Sequence, residues 1–343
     1  MKSFIIPKDQ IGQRFDHYLK RLLPGAPLSF LYKMLRKKNI VLNDSKAEGN
    51  ERLTQGDQVT IYFSNETYEK FSTMQEDSQN FAEHQQLQQL AKEAYETFQK
   101  IPIVYEDADV LIVDKPSGIL TQKALPTDKT LNEWLIGYLL TTHTITEQEL
   151  QTFHPSVCNR LDRNTSGLVL CGKTLLGSRE LGRLIKNRQV QKYYRAIVHG
   201  QIHESQELHA YILKDPVTNQ VTIYEDPKDA GYQKVSRIHT SYKPVTILHA
   251  ATEIEIRLHT GKTHQIRAHL ASQGHPLIGD YKYGDTAQNE YYRKHFGVRD
   301  QLLCAYRLEF PALEGALSGL SKRTICATLP YVFKKVIYVP TKP

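Results

Sequence analysis

Cysteine and long apolar runs are scarce in this sequence of 343 residues. Its four cysteines are too scattered for a disulfide framework, and none forms the CxxC pair typical of zinc sites: Cys158, Cys171, Cys304 and Cys326. Reduced thiols in the cytosol are the natural interpretation. No apolar run approaches the roughly 20 residues that cross a bilayer, and the first residues contain no secretory signal. We therefore expect a cytoplasmic protein that does not contact membranes.

Charge is unevenly distributed along the chain. The net charge is +7 and the pI is about 9.0. Lys and Arg exceed Asp and Glu by 5 in residues 1–63 and by 6 in residues 101–343, whereas acidic residues exceed basic ones by 4 in residues 64–100. A basic excess is compatible with a polyanionic partner but does not prove one. We expect two domains at 1–63 and 101–343, joined by a polar, partly helical linker at 64–100.

The first block has the pattern of a small α/β domain. Apolar spacing predicts a helix near residues 15–23, a second helix across 28–36, a strand at 40–42 and a closing strand after a Gly-Asp turn. Four cations gather at the end of the second helix: Lys33, Arg36, Lys37 and Lys38. Alone, the cluster is either a solvated face that complements the helix dipole or a phosphate-binding surface. Over about residues 14–63 the order of elements resembles the RNA-binding domain of the ribosomal protein S-four type, which implies the second interpretation.

The acidic stretch is rich in Gln and Glu and lacks Gly and Pro. Its apolar stripe predicts one amphipathic helix in a spacer that few core contacts cross: Leu87, Leu90, Ala91, Ala94 and Phe98. From residue 101 onward strand patterns predominate and mix with helices without regular alternation. This mixture of strand and helix patterns predicts an α+β fold around a mostly antiparallel sheet.

The segment Asn159–Gly167 holds the first candidate for chemistry. An Asp followed by Asn, Thr, Ser and Gly is typical of a turn whose carboxylate accepts backbone hydrogen bonds. Ser166 invites a hydrolase interpretation, but the nucleophile elbow needs Gly at position 164, where Asn stands. The unusual feature is that Asp162 lies between Arg160 and Arg163, because such cations favour an ionised carboxylate and can also meet phosphates.

A second candidate runs from His259 to His269. Its Gly-Lys-Thr triplet mimics the end of a phosphate-binding loop, but Ile256 stands where that motif needs Gly. Histidines spaced by five, at 259, 264 and 269, do not share a helical face, so we expect no metal site there. We expect instead a polar loop that enters a helix, with these histidines bonded to backbone. A third segment, with adjacent Tyr193 and Tyr194, is by itself an ordinary strand.

Taken in this order, the segments resemble the RluA family of pseudouridine synthases. The matching stretches are IVYEDADVLIVDKPSGIL, NRLDRNTSGLVLCGKT, KYYRAIVHG, HTGKTHQIRAHLASQGHPLIGD and LLCAYRLEF. The resemblance implies a mixed-sheet catalytic domain that isomerises specific uridines in RNA and needs no cofactor. Large-subunit ribosomal RNA is the first candidate substrate, and transfer RNA is the second. Asn159 and Cys304 stand where the family often has His, which suggests a divergent branch.

The resemblance also implies roles for five residues. Asp162 is the catalytic carboxylate, which either attacks C1 of the ribose or removes a proton from C2. Arg267 pairs with it, and Tyr194 stacks near the base while its phenol helps to remove the C5 proton. Arg160 enters the gap left by the flipped base, and Leu303 lines the uracil pocket. We expect a monomer. The rival interpretation, an inactive RNA-binding or ribosome-assembly protein on the same fold, does not explain why all three catalytic candidates are present.

Overall fold

Two separate β-sheets organise the chain in this computed structural model, which describes residues 1–6, 10–72, 78–98, 101–150, 153–231 and 233–338. Among these residues, no helix is both long and apolar enough to cross a membrane. The N-terminal elements are β1 Lys2–Ile5, α1 Phe15–Leu22, α2 Leu28–Arg36, β2 Ile40–Leu42, β3 Ser45–Lys46 and β4 Gln58–Ile61.

The N-terminal unit is a four-stranded antiparallel sheet with two short helices packed against it. Its strands pair in the order β1-β4-β2-β3. The predicted second helix and the strand that follows it are confirmed at both ends. Asn43 and Asp44 both have positive φ, at 50° and 56°, which makes the tight hairpin turn between β2 and β3. Apolar side chains from helices and strands meet in one core, including Phe15, Leu19, Leu31, Leu35, Ile40, Val59 and Ile61.

Beyond the N-terminal unit, α3 (Asn65–Ser72) packs on its core through Tyr68 and Phe71, and the later elements build a second and larger sheet with its covering helices. In chain order these later elements are α4 Ser78–Thr97, β5 Ile103–Glu106, β6 Val110–Lys115, α5 Leu131–Thr141, α6 Glu147–Leu150, β7 Ser156–Val157, β8 Ser166–Gly172, α7 Leu175–Lys186, β9 Gln191–His199, β10 Gln206–Lys214, β11 Val221–Tyr224, β12 Ser236–Ile247, β13 Ala251–Leu258, α8 Gln265–Ser272, α9 Thr286–Phe296, β14 Leu303–Glu309, β15 Thr324–Cys326 and α10 Tyr331–Tyr338.

The large sheet is antiparallel except at one pair. Its strand order is β11-β10-β12-β13-β9-β14-β8-β6-β5, with β15 on β14 and β7 on β8. The parallel pair joins β14 to β8 in the middle of the sheet. The predicted α+β class with a mostly antiparallel mixed sheet is therefore confirmed.

Helices cover both faces of the large sheet around β8. On one face Leu170 packs with Leu184 of α7, and on the other Val169 packs with Leu135 of α5. Every residue of β8 is consequently buried, which accounts for its continuous apolar sequence. The loop that precedes this central strand holds Asp162.

The acidic stretch is more than a spacer. Its described residues form two helices where the sequence predicted one, because α3 precedes α4. Ala91 and Ala94 of α4 are fully buried against α5. A Cβ at Gly137 of α5 would lie 2.2 Å from the Ala91 carbonyl oxygen, so the two helices touch at small residues. The expectation that few core contacts cross this stretch is therefore wrong. Residues 99–100, at the predicted end of the linker, lie outside the described residues.

Candidate active site

A buried lysine fixes the loop that carries Asp162. Lys115, at the end of β6, is fully buried. Its Nζ donates to the carbonyls of Pro116 at 2.9 Å, Ile119 at 2.9 Å and Arg163 at 3.0 Å. These three acceptors use all three N–H groups of an ammonium, although burial lowers the pKa of Lys115 to about 7. The lysine thereby ties the turn after β6 to the residue next to Asp162.

Two further side chains hold the backbone on the other side of Asp162. Thr121 Oγ1 donates to the Leu161 carbonyl at 2.7 Å and accepts from the Leu161 N–H at 3.2 Å. Asn159 Oδ1 accepts from the Leu170 N–H at 2.7 Å, and its amide donates to the Leu168 carbonyl at 3.4 Å. The amide of Asn159 thus fastens this loop to β8, which gives a structural reason for an amide at that position.

Asp162 meets a guanidinium that is itself held by a second carboxylate. Arg267 Nη1 donates to Asp162 Oδ2 at 3.0 Å. The same guanidinium donates from Nε and Nη2 to the two carboxylate oxygens of Asp280, at 2.7 and 2.8 Å. The side chain of Asp280 is fully buried, whereas that of Asp162 keeps 26% of its surface exposed. Only Asp162 therefore remains open to a substrate.

The electrostatics of this triad keep the arginine charged. Burial by itself would lower the pKa of Arg267, but the hydrogen bonds and charge of Asp280, followed by those of Asp162, raise it above its ordinary value. Asp280 Oδ1 also accepts from the N–H groups of Lys282 at 2.9 Å and Tyr283 at 3.2 Å. The arrangement presents one partly exposed carboxylate, that of Asp162, whose position is set by the buried Arg267–Asp280 pair.

His264 lies beside Asp162 and was not among the residues predicted for the site. It precedes α8 with a left-handed φ of 52°, and its Nε2 is 3.9 Å from Asp162 Oδ2. Its Nδ1 is 2.9 Å from the hydroxyl of Tyr283, which accepts from the Val221 N–H at 3.0 Å. The tyrosine proton can be donated to Nδ1, and a neutral ring bonded in this way carries its hydrogen on Nε2 and directs it towards Asp162.

Charge and burial favour the neutral ring of His264. Burial is the largest cause that lowers the pKa of His264, and the positive charge of Arg267 lowers it further. The 3.9 Å gap to Asp162 is too long for a hydrogen bond, so the Nε2–H can donate to a group placed between them. The sequence could have indicated His264 through its spacing from Arg267. The two residues lie three positions apart at the start of a helix, which places their side chains near each other.

Tyr194 and Leu303 belong to the apolar core on this side of the sheet. Tyr194 of β9 pairs with Ile256 of β13 and with Ala305 of β14, while Leu303 pairs with Ala196 of β9. Tyr194 and Leu303 both pack in the cluster that includes Leu161, next to Asp162. Burial, followed by the charge of Asp162, raises the pKa of Tyr194, so its phenol is protonated at neutral pH. A protonated phenol is a hydrogen-bond donor and a poor base.

The remaining predicted residues are placed differently. Arg160 is exposed in the loop before Asp162, and Tyr193 lies under the guanidinium of Arg307 at 4.0 Å, on the opposite face of β9 from Tyr194. Cys304 is fully buried, and burial raises the pKa of its thiol to about 12. The cation cluster of α2 is exposed on the N-terminal unit and takes no part in these contacts: Lys33, Arg36, Lys37 and Lys38.

The loop after β13 enters a helix as predicted, but the bonding of its histidines differs. His259 Nε2 lies 2.9 Å from Ser241 Oγ, and His269 Nδ1 lies 3.1 Å from Thr240 Oγ1. With His264 bonded to Tyr283, all three rings meet hydroxyl groups. The expectation of backbone partners is wrong because β12 and the segment after α8 place hydroxyls against this loop.

Comparisons with known proteins agree with the geometry. A family model described as RNA pseudouridylate synthase matches residues 109–272. An uncharacterised RNA pseudouridine synthase of Mycoplasma genitalium is 31% identical over 317 residues, covering 91% of this chain and 90% of its own. The chain belongs to the RNA pseudouridine synthase family. The predicted enzyme class is thereby confirmed.

Two relatives of this synthase carry more specific names. Ribosomal large subunit pseudouridine synthase C of Vibrio vulnificus is 30% identical over 90% of this chain and 89% of its own. Ribosomal large subunit pseudouridine synthase D of Neisseria meningitidis serogroup B is 29% identical over 89% of this chain and 74% of its own. Similarity to these synthases supports the RluA type. The human protein called RNA pseudouridylate synthase domain containing 4 shares the fold, with a TM-score of 0.55 and 20% identity over 74% of this chain and 99% of its own.

Proposed function

We propose that this synthase isomerises uridines of large-subunit ribosomal RNA and that Asp162 is its catalytic carboxylate. The names of the relatives in Vibrio and Neisseria support the substrate. The observation that carries the residue assignment is the ion pair at 3.0 Å between the partly exposed Asp162 and the buried Arg267. Transfer RNA is the second candidate substrate. Mapping pseudouridines in total RNA from cells with and without the gene separates the two, because the sites that disappear lie in one RNA class or the other.

The reaction needs an ionised carboxylate and no redox change. The bond from ribose C1 to uracil N1 breaks, the base turns, a bond from C1 to C5 forms, and the C5 proton moves to N1. Asp162 either attacks C1 or removes a proton from C2, and both roles require a free electron pair on its carboxylate. Arg267 donates to Asp162 and fixes the orientation of its carboxylate. Because Nε and Nη2 of Arg267 donate to Asp280, Nη1 is the nitrogen that faces Asp162.

The base pocket follows from the same placement. The target uridine leaves its stack at a cost of a few kcal/mol, least in loops and bulges. Tyr194 and Leu303, on adjacent strands beside Asp162, form the apolar wall for the uracil ring. Because its phenol is protonated, Tyr194 acts by packing and by donating a hydrogen bond, rather than as the base for the C5 proton that the family resemblance implied. Arg160, exposed next to Asp162, fills the gap in the RNA stack.

Replacing Asp162 by Asn tests the catalytic assignment. The change keeps the shape of the side chain and removes its charge, so product formation should fall by several orders of magnitude while RNA affinity stays within about tenfold. Release of tritium from RNA that contains 5-tritiated uridine measures turnover, and filter binding measures affinity. Asp229→Asn, the same substitution at an exposed carboxylate, is the matched control. Normal turnover by the Asp162 variant would refute the assignment.

The N-terminal unit is proposed to be a separate RNA-binding domain of the ribosomal protein S-four type. Its own sheet and core support a domain at about residues 1–63, and its exposed cation cluster supports contact with phosphates. That cluster comprises Lys33, Arg36, Lys37 and Lys38. Its role would be to position the RNA, because phosphate contacts carry no sequence information by themselves.

Charge removal tests this domain better than truncation does, because a cut near residue 100 would also strip the buried α4 from the core. Replacing the four cations by Gln should flatten the log–log dependence of affinity on salt by about 0.7–0.9 for each phosphate that is no longer neutralised. Turnover at saturating RNA should not change. The control removes four exposed lysines elsewhere: Lys228, Lys234, Lys294 and Lys334. If the wild type and the cluster variant show the same salt dependence of affinity, the proposal that this cluster binds RNA is refuted.

A further inference from the structure

A row of three histidines crosses the face of the large sheet opposite the active site. His209 of β10 pairs with His239 of β12, and His259 follows β13 at the position next to His239. Their rings stack in sequence, with centroids 4.2 Å and 3.7 Å apart. Tyr242 of β12, Ile256 of β13 and Tyr194 of β9 are paired in register, so their side chains lie on one face of the sheet. His239 lies three residues before Tyr242 on β12, so its side chain lies on the opposite face. The histidine row therefore points away from Tyr194.

Glu207 brings a carboxylate to the same row. It lies two residues before His209 on β10, so both side chains stand on one face. Glu207 Oε1 is 2.6 Å from His239 Nε2 and 3.8 Å from His209 Nε2. Within the part of the chain that the structure describes, the enclosed Nε2 of His239 has no hydrogen-bond partner, but it stands at ion-pair distance from Glu207. A ring nitrogen and a carboxylate oxygen thus face each other at a distance that a protonated ring or a shared cation would account for.

We propose that Glu207, His239 and His259 bind one divalent transition-metal ion of the zinc class. One ligand atom from each of the three residues lies within 4.8 Å of the other two. Two imidazoles and a carboxylate are a donor set that zinc accepts, with bonds of about 2.0–2.2 Å that leave a fourth position for water or His209. The last torsion of a histidine is broad, so the stacked rings can turn towards a shared ion without moving the strands.

The backbone also supports the site. The ligands come from two adjacent strands and from the first residue after a third. A bound ion would therefore tie β10 and β12 to the loop that leads to α8. It would act as a structural brace, separate from the chemistry at Asp162.

Titration of chelator-treated full-length protein with zinc chloride tests the proposal. Calorimetry should show one saturable site, and cobalt(II) should bind there with the visible absorption of a site that has nitrogen and oxygen ligands. Glu207→Gln and His239→Gln should each weaken zinc binding by at least about tenfold. His249→Gln, the same change at an exposed histidine outside the row, should bind as the wild type does.

Tritium release without metal should be equal in the wild type and the Glu207 variant, which shows that the variant folds. Glu207 is an exposed side chain, so it carries the test if His239→Gln does not fold. Zinc should also raise the melting temperature of the wild type, and at the same zinc concentration raise that of Glu207→Gln by less. The absence of saturable 1:1 binding, or equal weakening in His249→Gln, would overturn the proposal.

Discussion

Asp280 provides a sharp test of how the active site is held together. Its carboxylate has no exposed surface and binds Arg267 through two hydrogen bonds, at 2.7 and 2.8 Å. Asp280 is linked to Asp162 through Arg267, whose guanidinium donates to both carboxylates. We therefore predict that Asp280→Asn keeps the RNA-binding surface intact but lowers both stability and turnover.

The size of the effect follows from the atoms involved. If the Asn oxygen takes the place of Oδ1, it still accepts from Arg267 Nη2 and from the N–H groups of Lys282 and Tyr283. The Asn nitrogen then faces Arg267 Nε, so a charge-assisted hydrogen bond becomes a contact between two donors. Losing such a bond costs about 1.5–3 kcal/mol, and a buried charge deprived of its partner costs about 3–5 kcal/mol. We expect the unfolding free energy to fall by about 3–5 kcal/mol.

Turnover should fall because the guanidinium no longer has a fixed orientation towards Asp162. Urea unfolding measures stability, and single-turnover tritium release measures chemistry at a denaturant-free condition where the variant is folded. RNA affinity should remain within about tenfold of the wild type. Asp229→Asn, at an exposed site, should change none of these quantities. Wild-type single-turnover rates in a folded Asp280→Asn protein would refute the view that this carboxylate positions Arg267 for catalysis.

Two further predictions concern neighbouring residues. Tyr194→Phe keeps the ring that packs beside Asp162 and removes the hydroxyl, so RNA binding should survive while single-turnover tritium release falls; full activity would show that the phenol is dispensable. Burial lowers the pKa of His269 to about 4, below its unfolded value of about 6.5, so the folded protein resists a proton that the unfolded chain accepts. Stability should therefore fall as the pH drops from 6.5 towards 4, by about 2 kcal/mol between pH 7 and pH 5. His269→Gln should show a smaller loss in urea unfolding, and an equal loss would contradict this cause.

The sequence predicted those parts of the fold that depend on local pattern. The limits of α2 and β2 follow from apolar spacing and a turn at Asn43-Asp44, which are properties of a few neighbouring residues. The strand patterns after residue 101, mixed with helices without regular alternation, predicted the α+β class, and the apolar run of β8 is typical of a strand covered on both faces. The family resemblance named Arg267 as the partner of Asp162, and the two side chains lie 3.0 Å apart.

What sequence reasoning missed depends on contacts between distant residues. The packing of α4 on α5 requires Ala91 to meet Gly137, and neither residue signals that contact alone. The histidine row joins residues on β10, on β12 and after β13, so it exists only once the strand order and register are known. His264 was assigned a backbone partner because the hydroxyl of Tyr283, 19 residues further on, could not be placed beside it from local sequence.

The buried charges around the site also explain why several supporting residues are needed. A catalytic carboxylate must stay ionised and partly open, yet a single arginine buried beside it would be free to adopt more than one orientation. Asp280 removes that freedom by taking two of the guanidinium N–H groups, but it adds a second negative charge. Lys115, buried behind the loop of Asp162, ties down the backbone through the Arg163 carbonyl. Arg267 is thus paired with two carboxylates in a region where an unpaired charge would be costly, and of those two only Asp162 keeps exposed surface for the RNA.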